Sequence, residues 1–318
     1  MSERRRLQGV LPIVQTPFAD DNTIDFDALA REVDWAMSVG ADGVGTGMVS
    51  EVLRLDERER HELAERLVEM VEGRGVVFAS VGAESTRQAV AYARHAESVG
   101  CDAVMALPPV TAALATDELR DYFVAIAEAV TVPLVVQDAS GYVGQGIPHS
   151  VCRELLDRFG PDRVVFKPEA SPQGPNVSAL RDACSGKSRL FEGSGGMHLV
   201  DCYRRGIAGT MPGVDLLDGI VALWHALRRD DDATVYRLYL PVCALVALQL
   251  QAGLDGFLAV EKHLLVRRGL FASSRRRRPY RWSLDAETAA EVDRLFDLLM
   301  REIERTPLPW RADDASSD

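Results

Sequence analysis

Short apolar runs alternate with amphipathic helical patterns eight times along residues 9–228, and this alternation restricts the fold more than any other feature. The runs are 9–16, 41–47, 76–82, 103–107, 134–136, 164–167, 189–192 and 207–211. They have the length and the apolar character of strands buried in a parallel sheet. Between them the spacing predicts helices over 25–39, 56–71, 86–99, 116–130, 149–159 and 177–184, and one ending at 205. Asp25 and Ser85 or Thr86 are N-cap candidates. Eight βα units in one run predict an α/β fold of the (β/α)8 barrel type rather than an open doubly wound sheet. No G-x-G-x-x-G follows the first run, which argues against a dinucleotide-binding domain. The cluster Gly193-Ser194-Gly195-Gly196 is better explained as a tight strand-to-helix turn than as a phosphate cradle.

Past residue 216 the alternation stops, and 219–228, 233–251, 257–268 and 286–305 carry helical patterns only. The expected organisation is a barrel over 1–228, a C-terminal helical extension over 229–309 and a disordered tail over 310–318. Four consecutive arginines, 275–278, are expected in a solvated or subunit-contacting loop. The 318 residues, 47% of them hydrophobic, are ample for a large core. A net charge of −12 argues against nucleic acid and anionic membranes as partners. No apolar run reads as long enough to span a bilayer, and residues 1–15 lack a signal-type apolar segment, so a cytoplasmic location is expected. The cysteines, at 101, 152, 184, 202 and 243, are odd in number and have no C-x-x-C spacing, so they read as small buried hydrophobes. The histidines form no H-x-x-x-H or H-E-x-x-H pair, and no metal site is expected.

Within this frame one lysine stands out. Val164-Val165-Phe166 runs directly into Lys167, with Pro168 next. A lysine at the C-terminal end of a barrel strand sits at the mouth where such folds keep their sites. Desolvation there favours the neutral amine, which can attack a ketone carbonyl. The competing interpretation is a surface lysine with its stem on apolar neighbours and its head in water.

The order of several short motifs decides between the two. Thr16-Pro17-Phe18 ends the first run; Gly47-Met48-Val49-Ser50-Glu51 follows the second, with Leu55, Glu59 and Arg60 beyond; Lys167 ends the sixth; Gly193 follows the seventh, and the eighth ends around Met211. Over nearly the whole chain this arrangement resembles the dihydrodipicolinate synthase and N-acetylneuraminate lyase family of pyruvate-dependent aldolases. The resemblance implies that Lys167 forms a covalent imine with a 2-oxo acid and that no metal or organic cofactor is needed. It implies substrate contacts from Thr16, Val49, Ser50, Tyr142, Gly193 and Met211, with backbone amides near Ser50 and Gly193 holding the carboxylate. It also implies a homodimer or homotetramer.

The departures from the family pattern are specific. Gln137 ends the fifth run where the family has a proton-shuttling tyrosine. Tyr142 stands where the synthase has a carboxylate-binding arginine. Pro109-Val110 replaces a tyrosine pair that reaches a neighbouring subunit, and Met48-Val49 replaces two threonines. These changes argue against the lysine-pathway synthase. They leave an aldolase that cleaves or forms a 4-hydroxy-2-oxo acid, with a dehydratase using the same imine or a non-catalytic 2-oxo acid-binding barrel as alternatives.

Glu169 is the candidate replacement for the tyrosine. Side chains of a strand alternate, so Glu169 faces the same way as Lys167 if the strand continues through Pro168, and turns to solvent if proline ends it. Facing inward, it would carry protons or pair with a cationic or hydroxylated far end of the substrate. The second role fits Tyr142 in place of an arginine, and the expected substrate has a neutral or basic distal group rather than a second carboxylate.

Overall fold

The computed structural model describes residues 6–306. Eight parallel strands alternate with eight helices: β1 (Gly9–Val10), α1 (Phe26–Ser38), β2 (Gly43–Gly45), α2 (Glu57–Val71), β3 (Val76–Ser80), α3 (Thr86–Ser98), β4 (Ala103–Ala106), α4 (Thr116–Ala129), β5 (Leu134–Asp138), α5 (His149–Phe159), β6 (Val164–Pro168), α6 (Gln173–Ala183), β7 (Phe191–Glu192), α7 (Leu199–Arg204), β8 (Gly209–Thr210) and α8 (Leu217–Arg228). Strands β2 to β6 pair in sequence order, and β7, β8 and β1 form a second arc. Parallel bridges from Ile13 to Gly45 and to Gly213, and from Phe166 to Leu190, join the arcs into a closed barrel. The first run pairs over less of its length than expected, since Pro12 and Pro17 have no N–H to donate to a ladder.

Strand alternation divides the apolar residues into two cores. Val76, Phe78, Met105, Val135, Val165 and Phe191 fill the barrel interior. Val77, Val104, Leu134, Val136, Val164 and Phe166 face outward under the helices. The inward series Val135 and Val165 therefore continues to Gln137 and Lys167, which lie opposite one another on β5 and β6.

Helix starts follow local capping chemistry. The Asp25 carboxylate accepts the Ala28 amide at 2.9 Å. Asp56 and Glu59 cap reciprocally, each accepting the other's backbone N–H. Helix α6 begins four residues earlier than the 177–184 expected, because Pro175 occupies its first turn, where a missing N–H costs no helical bond.

Three further helices, α9 (Asp232–Leu250), α10 (Leu254–Arg267) and α11 (Ala286–Glu304), complete the chain. Helix α9 corrects the expectation that no apolar run reaches bilayer length: it has 19 residues, and an 18-residue stretch of it has a mean hydropathy of 1.5. Its face formed by Val235, Leu238, Val242, Leu245 and Val246 is buried in the main hydrophobic core, the situation of a core helix in an appendage. The arginine run is a loop, as expected, with Arg275 and Arg278 exposed, but Arg276 is buried and Arg277 half-buried. The Arg276 guanidinium donates to Asp255 O at 3.1 Å and Trp282 O at 2.8 Å and stacks on Tyr280. The Arg277 guanidinium donates to Glu59 at 2.5 Å and Asn22 O at 2.7 Å, and its amide donates to Glu51 at 2.9 Å. Lys262 of α10, fully buried, donates to Thr16 O at 2.7 Å, to Arg275 O at 2.8 Å and to the Glu51 carboxylate. Burial pushes its pKa down to about 8. This lysine ties the appendage and the arginine segment to the first two βα loops. The cysteines are all free, and Cys101, Cys152, Cys184 and Cys202 are buried. The tail expected over 310–318 lies outside the described residues.

Candidate active site

A cleft of about 430 Å³, its open mouth included, lies at the C-terminal end of the barrel. Its floor carries Gln137, Lys167 and Glu169; its walls include Met48, Val49, Tyr142, Gly193 and Met211. Pro168 does not end the strand. It pairs with Asp138, and the Glu169 amide donates to Asp138 O at 2.9 Å. The Phe166 amide donates across to Arg189 O, so on alternation the donor that proline lacks falls on the β7 side and spares the β5 ladder. Alternation therefore survives, and Glu169 points inward beside Lys167.

The geometry is tight. Lys167 Nζ lies 3.3 Å from Glu169 Oε1, with both side chains almost wholly buried. Gln137 Nε2 donates to Glu169 Oε2 at 2.6 Å. Burial raises the Glu169 pKa; the Lys167 ammonium and the Gln137 hydrogen bond oppose that rise. The floor is thus a lysine and a carboxylate in direct contact in a site largely closed to water. The Tyr142 ring meets Phe257 edge-on at 5.8 Å. Burial, with Glu169, Glu192 and Glu261 nearby, raises its phenol pKa, so Tyr142 offers an O–H.

Gly193 is a steric requirement. A Cβ there would sit 2.2 Å from Lys167 Cε and 2.6 Å from Glu169 Oε1. Gly193→Ala must displace the lysine, and imine formation is expected to fall by about 10²-fold, the cost of an ångström-scale misplacement of a reacting group. Single-turnover trapping of a 2-oxo acid measures it; an unchanged rate would show that Lys167 does not react from this position.

Two residues expected to contact substrate have their hydroxyls bonded to backbone carbonyls. Thr16 Oγ1 donates to Ser50 O at 2.6 Å, and Thr16 is absent from the cleft lining. Ser50 Oγ donates to Val14 O, and the Ser50 amide donates to Gly47 O at 3.0 Å. Both side chains tie the first βα loop to the second. The cleft is lined by Met48 and Val49, which open the 3-10 turn Met48–Ser50. Such a turn leaves its leading amides without partners inside the turn.

The sequence reading missed the wall contributed by α10: Leu254, Phe257 and Glu261. Their i, i+3, i+7 spacing marks one helix face, and Glu261 is a charge on an otherwise apolar stripe; that was the available signal. Glu261 Oε2 accepts from Gln15 Nε2, and Asp215 Oδ2 accepts from Gln249 Nε2 at 2.7 Å. Both carboxylates converge on Gly213, whose Cβ would lie 2.8 Å from Glu261 Oε1 and 2.9 Å from Asp215 Oδ1. Behind them Glu32 Oε1 accepts the Gln15 amide at 2.8 Å. Burial raises the pKa of Glu32 and Glu261 well above the usual range and that of Asp215 to about 7.

A raised carboxyl pKa gives the linkage a definite sign. The folded state holds a proton that the unfolded chain releases, so stability falls as pH rises from the ordinary glutamate range through the raised value. Glu32→Gln keeps an acceptor for the Gln15 amide and removes the buried charge. It is expected to stabilise the protein by roughly 1–2 kcal/mol at pH 8 and by less at pH 5. Thermal denaturation at both pH values checks this; equal shifts would mean that Glu32 carries no excess proton.

Comparison with known proteins follows from this geometry. The sequence profile described as the Dihydrodipicolinate synthetase family matches residues 6–212. The chain belongs to this family. A 4-hydroxy-tetrahydrodipicolinate synthase of Methanococcus vannielii is 30% identical over 180 residues, 56% of this chain and 61% of that protein. A probable 2-dehydro-3-deoxy-D-pentonate aldolase of Escherichia coli is 34% identical over 156 residues, 48% of this chain and 51% of the relative. The matched stretch thus spans no more than about three fifths of the length of these curated relatives. The crystal structure of a dihydrodipicolinate synthase from Rhodopseudomonas palustris superposes with a TM-score of 0.83 at 27% identity, covering 92% of this chain and 98% of that one. The family fold is therefore shared over the appendage as well as the barrel.

Proposed function

We propose that the protein is a class I aldolase that cleaves or forms a 4-hydroxy-2-oxo acid through an imine on Lys167. One observation carries this reading: Lys167 Nζ is held at the barrel mouth 3.3 Å from Glu169, against a glycine whose missing Cβ leaves room for the lysine side chain itself. Membership of the family and the aldolase and synthase names of the relatives support it.

The steps balance without any further cofactor. Lys167 Nζ, having passed a proton to Glu169, adds to C2 of the 2-oxo acid; Glu169 returns that proton to the departing hydroxyl, and loss of water gives the iminium and an ionised Glu169. Glu169 removes the proton of the C4 hydroxyl. The C3–C4 bond breaks, the C4 oxygen becomes an aldehyde carbonyl, and the bonding pair enters the enamine and neutralises the iminium nitrogen. Protonation at C3 and hydrolysis return pyruvate and the free lysine. The carboxylate is assigned to the leading amides of the Met48–Ser50 turn, replacing the role expected for Ser50. The distal group is assigned to the Tyr142 side of the cleft and is neutral or basic.

Borohydride reduction in the presence of pyruvate, followed by peptide mass spectrometry, tests the reading. A pyruvate adduct on Lys167 is the expected result; binding without an adduct would favour a non-catalytic 2-oxo acid-binding barrel. A panel of 4-hydroxy-2-oxo acids assayed for pyruvate release then identifies the aldehyde. Assembly into a homodimer or homotetramer is part of the same proposal. Leu240 of α9 is 64% exposed and Tyr236 is also open, which leaves apolar surface for a second copy. Sedimentation at micromolar concentration should show more than a monomer.

A further inference from the structure

We propose that Glu261, supported by Gln15 and Asp215, forms a subsite for a positively charged, N–H-bearing distal group such as an ammonium or guanidinium. The inference rests on the imine reading only for the orientation of the substrate; the subsite itself is argued from its own atoms.

Apart from the Lys167 ammonium and the Tyr142 hydroxyl, the polar side chains along the cleft are Gln137, Glu169 and Glu261. Glu169 already takes hydrogen bonds from Lys167 and Gln137. Two buried amide oxygens close to these groups have no partner: Gln137 Oε1, whose residue is 1% exposed and lines the cleft, and Gln15 Oε1, whose residue is fully buried and donates to Glu261. Unpartnered buried acceptors are costly and call for a donor. The carboxylates stand in the same relation. Three of them, Glu32, Asp215 and Glu261, cluster around Gln15 and Gly213. The nearby cations are committed elsewhere: Lys262 to Glu51, Thr16 O and Arg275 O, and Arg268 to Asp218 and Asp215 O. A ligand rich in N–H groups and bearing positive charge satisfies both the empty Gln137 Oε1 acceptor in the cleft and the excess of negative charge; a carboxylate at the same place satisfies neither.

The groups facing Glu261 set the pH dependence: Asp215 after β8, Glu32 on α1 and Lys262 on α10 itself. With no cation bound, the cluster holds a proton. A cation takes that proton's place, so its affinity rises with pH until the carboxylates are ionised, while a neutral ligand of the same shape shows no such rise.

The test uses two linear probes of equal shape, 5-guanidino-2-oxopentanoate and its neutral counterpart 5-ureido-2-oxopentanoate, with binding measured by calorimetry between pH 6 and 8. The guanidino acid should bind at least about tenfold more tightly at pH 8, with the ratio shrinking toward pH 6. Glu261→Gln should bring the ratio to within about threefold. Equal affinities in the wild-type protein, or a ratio unaffected by Glu261→Gln, would overturn the subsite; if the variant does not fold, the wild-type ratio and its pH course decide alone. Pyruvate trapping on Lys167 in the wild-type protein reports the imine reading separately. An adduct with equal probe affinities sinks only the subsite, and a preserved guanidino preference without any adduct sinks only the imine.

Discussion

Replacing Lys167 with methionine is expected to abolish aldol turnover, by roughly 10⁴-fold or more, together with every borohydride-trapped adduct. The magnitude follows from what is removed. The imine is the electron sink for C–C cleavage, and nothing else in the cleft can hold the carbanion. The substitution is suited to the site because methionine fills nearly the same volume against Gly193. Loss of the ammonium removes the contact that opposes the burial-driven rise of the Glu169 pKa, so the neutral carboxyl is favoured and the buried charge is relieved. Lys167→Arg is the companion variant. It keeps the positive charge beside Glu169 and cannot form an imine, so equal inactivity in both variants separates nucleophilicity from charge. The chain has only three lysines, which makes the adduct easy to place. Lys187 is exposed, and Lys262 is held by three acceptors outside the cleft lining. Turnover in Lys167→Met above about 1% of wild type, or an adduct on Lys262, would reject the assignment.

What the sequence revealed of this site depended on how locally each feature was encoded. The barrel was legible because each strand and helix carries its own period, and capping residues such as Asp25, Asp56 and Ser85 act within one turn of their helices. Lys167 was marked out by its strand end and residue type, and the order of motifs around it decided between the two readings. Glu169 was legible only as an alternative, since its direction turned on which neighbour Pro168 would have donated to, and that is a property of the assembled sheet. The partners of Thr16 and Ser50 were hidden for a related reason. Their hydroxyls bond to backbone carbonyls more than thirty residues away, a pairing that no local pattern announces. The Glu261 wall lay deepest in tertiary context. It comes from the appendage, and only the docking of α10 through Lys262, Glu51 and Thr16 O brings that helix face over the barrel mouth.

Glu169→Gln is expected to lower kcat by about 10²–10⁴-fold, the usual contribution of a positioned acid–base group, with a much smaller change in KM. Three features of the floor place the proton transfers on this residue. Gln137 stands at the end of β5 and has no titratable proton. Tyr142 has its phenol pKa raised, so it donates hydrogen bonds but is a poor base at neutral pH. Glu169 is the carboxylate within reach of Lys167, and its raised pKa brings it toward the working range of a general base. The sign of the pH effect follows. Acting as the base, Glu169 must be ionised, so activity is lost as pH falls through its raised pKa, and that acid limb lies above the ordinary glutamate range. In Glu169→Gln the limb should disappear along with the rate, whereas a merely structural role would leave the limb in place. The amide is close in size and shape, so Lys167 should still form its pyruvate adduct, more slowly because its proton must pass to water instead of Glu169, while C–C cleavage fails. A variant that raises KM alone would make Glu169 a binding anchor instead of the proton carrier, and wild-type kinetics would remove it from the site's chemistry altogether.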